Sequence, residues 1–541
     1  MSRCDVALVF PPLWYYTSVP ADLTYTSAPL TDLGLAVRCI DLSAALPLGL
    51  FREHSFVTAL QARATYEDRT VLEAANRELG KASATVATTF GIRYGLRRMR
   101  FRGTDEAHLP EALRVGLNGK RNPALPLLAG VAAALSKQAP LLIGIALVYP
   151  SQRVQAVTLA RLLRHQGYQG FIALYGSLQD EIGPGDFAED LLKEPIHWLF
   201  RDVDAAIVGE AENTLPALCT ALAGDGDLGA VPNLIAPRHL GADYRVERVI
   251  YDLEQQPLPD FSRLDPMLYL TPDPVVDLRM GRGCPWGRCG FCAIQAHHPG
   301  YRPGDIQNVA RAMMAARDSM GSTFFRIRDD LVTPGQLRQL AEAIETLPFA
   351  PRWSVRARFH SSLTRETLQK AASAGLEELW LGLESAVPRV RALMGKGVEQ
   401  DEVERILIDG HELGIRTRAL SMIGFPGETA TEARQTLSFL EARLGLLTTA
   451  SVSPFELMRQ SPMARRPNDF GIRLLPDTLP RYARLRYRSR ATWDNPITRD
   501  QFKSMLLAAA TSLLPRLQSE LLPDAHHGWI AASVARSGWP C

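Results

Sequence analysis

Three cysteines lie close together in the segment Gly281–Tyr301, which reads GRGCPWGRCGFCAIQAHHPGY. Cys284, Cys289 and Cys292 have the spacing C-x4-C-x2-C. Thiolate sulfur is the ligand that iron–sulfur clusters use. Three thiolates leave one iron of a four-iron cluster without a protein ligand. The loop therefore predicts a [4Fe-4S] cluster whose fourth iron is open to another molecule.

Two other interpretations of this loop exist. His297 or His298 can complete a Cys3His zinc site, which would make the chain a zinc-stabilised, non-catalytic binding protein. Alternatively, the cysteines pack in the core without a ligand. Gly283 and Gly287 allow the tight backbone turns that a ligand-wrapping loop needs, and Pro285 fixes one φ angle. The clustering of three cysteines favours the iron–sulfur interpretation.

Alternating strands and helices surround the cysteine loop. The apolar runs predict six strands, each except the last followed by a helix, and the loop follows the first of them. This pattern predicts a partial (β/α)6 TIM-type barrel over residues 275–460, with its chemistry at the carboxyl ends of the strands. The six predicted strands are Val275–Met280, Thr323–Arg328, Trp353–Arg358, Leu379–Leu383, Thr417–Ile423 and Ala450–Phe455.

Motifs in this half of the chain resemble a known family. The strand ending in RGC and the Cys-x-Phe-Cys motif are followed by Phe325–Asp330 (FRIRDD), Leu379–Ser385 (LWLGLES), Met394–Val398 (MGKGV) and Ile423–Thr429 (IGFPGET). These segments stand in the order found in the cobalamin-dependent branch of the radical S-adenosylmethionine (SAM) enzymes. The cysteine spacing has one residue more than the C-x3-C-x2-C usual in that family.

The resemblance implies a SAM site at the strand ends. Asp329 or Asp330 would accept from the SAM ammonium group, and Arg356 or Arg358 would bind its carboxylate. Glu384 would accept from the ribose hydroxyls. The full set of implied SAM-binding residues is Phe291, Asp329, Asp330, Arg356, Arg358, Glu384, Ser385 and Gly424.

Residues 1–250 predict a Rossmann-like, doubly wound domain with a mostly helical insertion at about 50–135. Its predicted strands are Val6–Phe10, Leu35–Ile40, Leu141–Val148, Phe171–Tyr175 and Ala205–Val208, and the clearest helix is Gln152–His165. By resemblance this domain binds cobalamin beyond the carboxyl ends of the strands. The candidate residues there are Ser151, Gln152, Gly176, Ser177, Gly209 and Glu210. The alternative is a Rossmann-like domain without a ligand.

One motif in the barrel half imitates a cobalamin signature. Asp409–Gly414 reads DGHELG and fits the D-x-H-x-x-G pattern of cobalamin domains that use a histidine ligand. It lies at the end of a predicted helix in the wrong domain. Gly414 is better explained as a helix-terminating glycine.

Two further regions complete the predicted organisation. Residues 251–274 are rich in Pro and turn formers and predict a linker. Residues 461–541 predict a mainly helical C-terminal region that covers the substrate, with an amphipathic helix at Gln501–Leu514. The basic, aromatic run Tyr482–Arg490 is interpreted as a solvated face, with an arginine wall for a carboxylate substrate as the alternative.

The amino-acid composition limits the kinds of binding partner and the cellular compartment that we expect for this chain. A formal net charge of +2 over 541 residues implies no nucleic-acid partner. The seven cysteines, three of them clustered, argue against a secreted disulfide framework and favour the cytoplasm. The most apolar stretch, Pro126–Pro150, is interrupted by polar residues and is too short for a membrane span.

Together these features predict an α/β enzyme of two domains with a [4Fe-4S] cluster, SAM and cobalamin. The resemblance implies that it cleaves SAM to a 5′-deoxyadenosyl radical and methylates an unactivated carbon of a small-molecule or peptide natural product. An external, flavodoxin-like reductant would supply one electron. A radical rearrangement, cyclisation or oxidation without methyl transfer is the alternative outcome.

Overall fold

The computed structural model describes residues 5–12, 16–90, 92–95, 98–101, 122, 124–148, 152–176, 201–224, 226–237, 249–298, 300–476, 484–489 and 504. The chain divides between Val276 and Asp277 into two compact units, and residues 315–322 group with the first. Within the described residues no helix is both long and apolar enough to cross a membrane.

The first unit is built on short strands. They are β1 (Val6–Phe10), β2 (Ser18–Val19), β3 (Val37–Asp41), β4 (Ile92–Gly95), β5 (Arg98–Phe101), β6 (Leu142–Ala146), β7 (Phe171–Tyr175), β8 (Ala205–Ile207) and β9 (Leu234–Ile235). The helices are α1 (Ala21–Asp32), α2 (Leu42–Phe51), α3 (Ser55–Gln61), α4 (Arg69–Phe90), α5 (Ala124–Gln138), α6 (Arg153–His165) and α7 (Ala211–Ala223). Short 3-10 turns span Arg63–Tyr66, Leu228–Ala230, Leu253–Gln255 and Pro266–Leu268.

The main sheet of this unit has the order β3-β1-β6-β7-β8-β9. All pairs are parallel except β8 with β9, which is antiparallel. β1 and β6 are buried along their whole length, as expected for strands covered on both faces. The predicted Rossmann-like α/β sheet is confirmed, and β9 adds an antiparallel edge of two residues, too short to predict.

Two predicted segments look different in the structure. Within residues 50–135 the described part of the insertion contains the helices α3 and α4 and most of α5, as predicted, and also the antiparallel hairpin β4–β5. The segment 251–274, predicted as a linker, packs within the first unit. There the buried Tyr269 donates its hydroxyl to Asp41 at 3.1 Å, and Gln61 Nε2 donates to the Tyr269 carbonyl at 3.0 Å.

The second unit alternates strands and helices. The strands are β10 (Val275–Leu278), β11 (Gly281–Arg282), β12 (Arg302–Pro303), β13 (Phe324–Ile327), β14 (Arg352–Ala357), β15 (Leu376–Glu384), β16 (Arg416–Ile423), β17 (Thr449–Pro454), β18 (Leu457–Met458), β19 (Ile472–Leu474), β20 (Arg484–Leu485) and β21 (Tyr487–Ser489). The helices are α8 (Ile294–His297), α9 (Ile306–Met320), α10 (Pro334–Ile344), α11 (Arg365–Ser373), α12 (Pro388–Leu393), α13 (Gln400–Glu412), α14 (Ala430–Ala442) and α15 (Pro462–Arg465), with a 3-10 turn at Pro467–Phe470.

The barrel strands lie in the order β17-β16-β15-β14-β13-β10. The pairs from β13 to β17 are parallel, which confirms the six-strand prediction. Two helices begin with a capping box, in which Thr333 and Gln336 start α10 and Thr429 and Glu432 start α14. These caps fix where the polar loops after the strands end.

The C-terminal region is described only in part. Residues 461–476 contain α15, the 3-10 turn and β19, and 484–489 add β20 and β21, which pair antiparallel with β18 and β19. The predicted helix Gln501–Leu514 lies outside the described residues apart from Ser504, and part of the Tyr482–Arg490 run does too.

Candidate functional site

The cysteine loop is closed at its base by a short ladder. Gly281 and Arg282 pair antiparallel with Pro303 and Arg302. The three cysteines inside the loop are free and half-buried. Gln295 Nε2 donates to the Cys284 carbonyl at 2.9 Å, so the side chain of α8 braces the first of them.

The loop Met394–Val398, one of the segments that carry the family resemblance, holds the cysteine loop in place. Trp286 Nε1 donates to the Gly395 carbonyl at 3.0 Å, and the Gly290 amide donates to the Met394 carbonyl at 2.9 Å. Arg358 completes the junction: its guanidinium lies 3.5 Å from the centre of the Trp286 ring and donates to the Lys396 carbonyl at 2.6 Å.

Burial raises the pKa values of two of the three loop thiols. It raises the pKa of Cys292 to about 12 and also raises the pKa of Cys289, although the nearby Lys396 ammonium works in the opposite direction. Lys396 itself forms an ion pair with Glu384 at 2.7 Å, both side chains being 12% exposed. These thiols therefore hold their protons until a cation binds, and metal binding would release them.

In the part of the chain that the structure describes, buried polar atoms just after the carboxyl ends of three barrel strands make no hydrogen bond. They are Asp329 Oδ2 after β13, Arg358 Nε after β14 and Glu428 Oε1 after β16. Buried polar groups in native proteins are nearly always satisfied, so such atoms point to a missing ligand. Two acceptors and one donor match the ammonium and carboxylate of an amino-acid ligand. The residues present therefore supply the kinds of polar group that SAM requires.

Three of the predicted SAM-binding residues, Asp329, Asp330 and Glu384, lie at the carboxyl ends of strands β13 and β15. Asp329 accepts from the Met280 amide at 2.7 Å, and burial raises its pKa to about 7, although that hydrogen bond opposes the rise. Glu384 ends β15 with a φ of +62°, which aims its side chain at Lys396. Asp330 follows Asp329 and is half-buried.

The remaining predicted residues are engaged in packing or in backbone contacts. Ser385 Oγ lies 3.1 Å from Thr436 Oγ1, and the Gly424 amide donates to Glu428 Oε2 at 2.6 Å. Phe291 packs on an apolar cluster that includes Val390, Met394, Phe425 and Met463. Arg356 lies on β14, two residues before Arg358, with its guanidinium 5.5 Å from the ring centre of Trp380.

The buried carboxyl group of Glu428 makes the stability of the folded protein depend on pH. Burial raises its pKa to about 7 from 4.5. The folded state then binds a proton that the unfolded state has released, so its stabilising effect is full below about pH 4.5 and disappears as the pH rises through about 7. The ionisation of Glu428 should therefore lower the free energy of unfolding by about 2 kcal/mol between pH 5 and 8. We expect Glu428→Gln, which cannot ionise, to lack this decrease.

Glu432→Gln is the matched control for that measurement. A hydrogen bond from Arg389 lowers the pKa of Glu432 to about 2, so its stabilising effect is lost only as the pH falls below 4.5. Unfolding midpoints of the Glu432 variant should keep most of the wild-type slope between pH 5 and 8, because burial raises the pKa of Glu428 more than the Glu432 charge does. An unchanged slope in the Glu428 variant would show that its carboxyl does not titrate there.

The first unit presents its candidate cobalamin residues at the carboxyl edge of the sheet. Gln152 is buried and bridges two loops, accepting from the Val148 amide and donating to the Pro11 carbonyl, both at 2.9 Å. Gly176 follows β7, and Gly209 and Glu210 follow β8. Glu210 accepts from the Tyr251 amide at 2.6 Å. Ser151 and Ser177 lie outside the described residues.

The DGHELG motif has a structural explanation. His411 lies in the last turn of α13, and Gly414 follows with a φ of +72°, its amide donating to the His411 carbonyl at 3.0 Å. This is the helix-terminating glycine that the sequence predicts. Asp409 forms ion pairs with Arg365 and Arg405.

A zinc site would need several ligands around one point. Among the described side chains, no group of three or more His, Cys, Asp or Glu is close enough together to hold a single metal ion. In a cubane each cysteine binds a different iron, so the three thiols need not converge.

The sequence is similar to known proteins in its central part. The profile of the Radical SAM superfamily matches residues 278–440. An uncharacterized methyltransferase of Pyrococcus horikoshii is 24% identical over 243 residues, which cover 44% of this chain and 52% of that protein. The chain thus spans about half the length of this curated relative.

Two solved structures share the fold over most of the chain. The radical SAM methyltransferase TsrM from Kitasatospora setae, solved with cobalamin and a [4Fe-4S] cluster, has a TM-score of 0.54 at 16% identity, covering 88% of this chain and 81% of its own. The cobalamin-dependent SAM radical enzyme OxsB, solved with aqua-cobalamin and SAM, has a TM-score of 0.57 at 13% identity, covering 89% and 63%. Residues 278–440 thus match the Radical SAM superfamily, and the chain shares the fold of these two solved structures.

Proposed function

We propose that this chain is a cobalamin-dependent radical SAM methyltransferase, acting on an unactivated carbon of a small-molecule or peptide natural product. The observation that carries the proposal is the cysteine loop itself, three free thiols set in the radical SAM domain beside three buried, unsatisfied polar atoms. The cluster and cobalamin supply one-electron and methyl-transfer chemistry when bound.

The chain's own residues have separable tasks in this proposal. Cys284, Cys289 and Cys292 hold three irons and leave the fourth to SAM. Asp329 accepts from the SAM ammonium with its unsatisfied Oδ2, and Arg358 donates to the carboxylate with its unsatisfied Nε.

The other candidate residues are assigned as the resemblance implies. Glu384, held by Lys396, accepts from the ribose, and Phe291 flanks the adenine. Asp330, Arg356, Ser385 and Gly424 complete the proposed SAM surroundings. In the first domain, Gln152, Gly176, Gly209 and Glu210 shape the cobalamin site together with Ser151 and Ser177.

The proposed domain organisation follows from these roles. Residues 1–250 bind cobalamin, 275–460 carry the radical chemistry and 461–541 cover the substrate. The enzyme works in the cytoplasm, where a flavodoxin-like protein delivers the electron. TsrM has been solved with its tryptophan substrate and a SAM analogue, and a substrate of comparable size is proposed for this chain.

Product analysis tests the proposal. The protein is reconstituted without oxygen, and iron, corrinoid and the products of SAM are measured after adding a reductant. We expect about four irons per chain, bound corrinoid and S-adenosylhomocysteine. If 5′-deoxyadenosine forms without S-adenosylhomocysteine or bound corrinoid, the reaction is a radical rearrangement, cyclisation or oxidation and methyl transfer is refuted.

A further inference from the structure

A nearly buried ion pair lies at the end of β15, between Glu384 and Lys396. Lys396 Nζ donates to Glu384 Oε1 at 2.7 Å, and both side chains are 12% exposed. Glu384 adopts a φ of +62°, a conformation that residues with a side chain rarely take. Strained backbone of this kind persists only where the surrounding structure requires it, and it concentrates at functional sites. The orientation of Glu384 towards Lys396 is therefore a candidate for a functional role.

The ammonium group of Lys396 is held in one place. Its backbone is fixed by contacts to neighbouring elements, because Arg358 donates to the Lys396 carbonyl at 2.6 Å and Trp286 Nε1 donates to the Gly395 carbonyl at 3.0 Å. Its tip lies against β15, where a Cβ added at Gly382 would be 2.5 Å from Lys396 Nζ. The absence of a side chain at Gly382 thus makes room for the ammonium group beside Glu384.

The positive end of this ion pair faces the cysteine loop. Burial raises the pKa of the Cys289 thiol, while the charge of Lys396 lowers it and the charge of Glu384 raises it. Of the two charges, that of Lys396 has the larger effect on Cys289. Since Coulomb interactions weaken with distance, the ammonium lies nearer to Cys289 than the carboxylate does. The ion pair is therefore a fixed dipole whose positive end is directed at one of the cluster ligands.

We propose that Lys396 is a positioning residue for electron transfer, whose fixed charge raises the reduction potential of the [4Fe-4S] cluster, and that Glu384 limits this effect. Reduction adds one electron, and thus one negative charge, to the cluster, while the flavodoxin-like donor is oxidised by one electron. A nearby positive charge stabilises the reduced form more than the oxidised form. The inference deepens the proposed function, on which it rests, because it assigns a regulator of the electron-transfer step.

A redox titration of the reconstituted full-length protein tests the inference without turnover. The reduced cluster is followed by electron paramagnetic resonance in the absence of SAM, so that contacts to SAM do not contribute. We expect Lys396→Met to lower the ratio of reduced to oxidised cluster about tenfold at a given applied potential, a fall of about 59 mV in the midpoint of a one-electron couple. Glu384→Gln should shift the midpoint in the opposite direction, because it removes the opposing negative charge.

Two further variants separate charge from structure. Lys396→Arg keeps the positive charge and should keep most of the wild-type potential. Lys370→Met removes a lysine from a partly exposed ion pair with Glu345 on α11 and should leave the potential unchanged. An unchanged midpoint in Lys396→Met would overturn the inference. So would a shift of Lys396→Met and Glu384→Gln in the same direction, since a distorted loop, and not the charge, would then be the cause.

The sign of the shift in Glu384→Gln decides the matter if Lys396→Met loses its cluster. This variant leaves the loop Met394–Val398 unaltered, and an unchanged or lower midpoint in it would overturn the inference. Iron content and the signal of the wild-type protein are measured on the same samples. A wild-type protein without a cluster signal would refute the proposed function, whereas a normal wild-type signal with unshifted variants would refute only the role of Lys396.

Discussion

Replacing Cys284, Cys289 and Cys292 together by alanine is expected to remove the iron–sulfur cluster and to reduce SAM cleavage to background. Each thiolate would bind a separate iron, so the triple substitution removes all three cysteine ligands that the loop supplies. Iron per chain should fall from about four to near zero. The visible absorption of the anaerobically reconstituted protein reports the same loss.

Two other cysteines provide the matched control. Cys39 and Cys219 are buried in the first unit, where burial raises the pKa of each to about 12. Alanine at these positions removes thiols that are more buried than those of the loop without touching the loop, so the iron content should stay unchanged. Full iron binding by the triple loop variant would refute the assignment of the ligands.

Gly395→Ala is expected to disturb the cluster loop from outside. Gly395 has a φ of +68°, and a Cβ at this position would lie 2.6 Å from the Arg288 carbonyl oxygen, which belongs to the backbone beside Cys289. Both contacting groups belong to the backbone and cannot move aside as a flexible side chain could, so the two loops must separate. We expect several-fold weaker iron retention and a loss of stability beyond the 1–3 kcal/mol, roughly, of backbone strain alone. Iron content after desalting and the unfolding midpoint measure the two effects.

Gly414→Ala is the control that introduces backbone strain without a steric clash. Its φ of +72° is nearly the same, but an added Cβ would meet nothing within 4 Å. This variant should lose stability through strain only and should keep its iron. If both variants retain iron equally, the loop Met394–Val398 does not support the cysteine loop.

The elements of the fold were predictable because their patterns are local. β1 and β7 are uninterrupted apolar runs, and the structure places both at the predicted residues. The cysteine loop was recognisable for the same reason, since its ligands lie within nine residues of one another. The cap of α14 also follows from a local motif, Thr429 with Glu432.

The support of the site was not predictable, because it depends on contacts distant in sequence. The role of Lys396 requires that Glu384 adopt a positive φ and turn towards it. Asp329 could be named as a candidate, but only the structure shows that one of its oxygens binds the Met280 amide while the other is unsatisfied.

Electron paramagnetic resonance of the reduced, anaerobic protein tests the central claim most directly. The claim is that three cysteines hold a four-iron cluster whose fourth iron is open to SAM. It predicts the signal of a reduced [4Fe-4S] cluster that changes when SAM is added, because SAM binds that iron. A signal that SAM leaves unchanged, or a colourless protein with stoichiometric zinc, would contradict it.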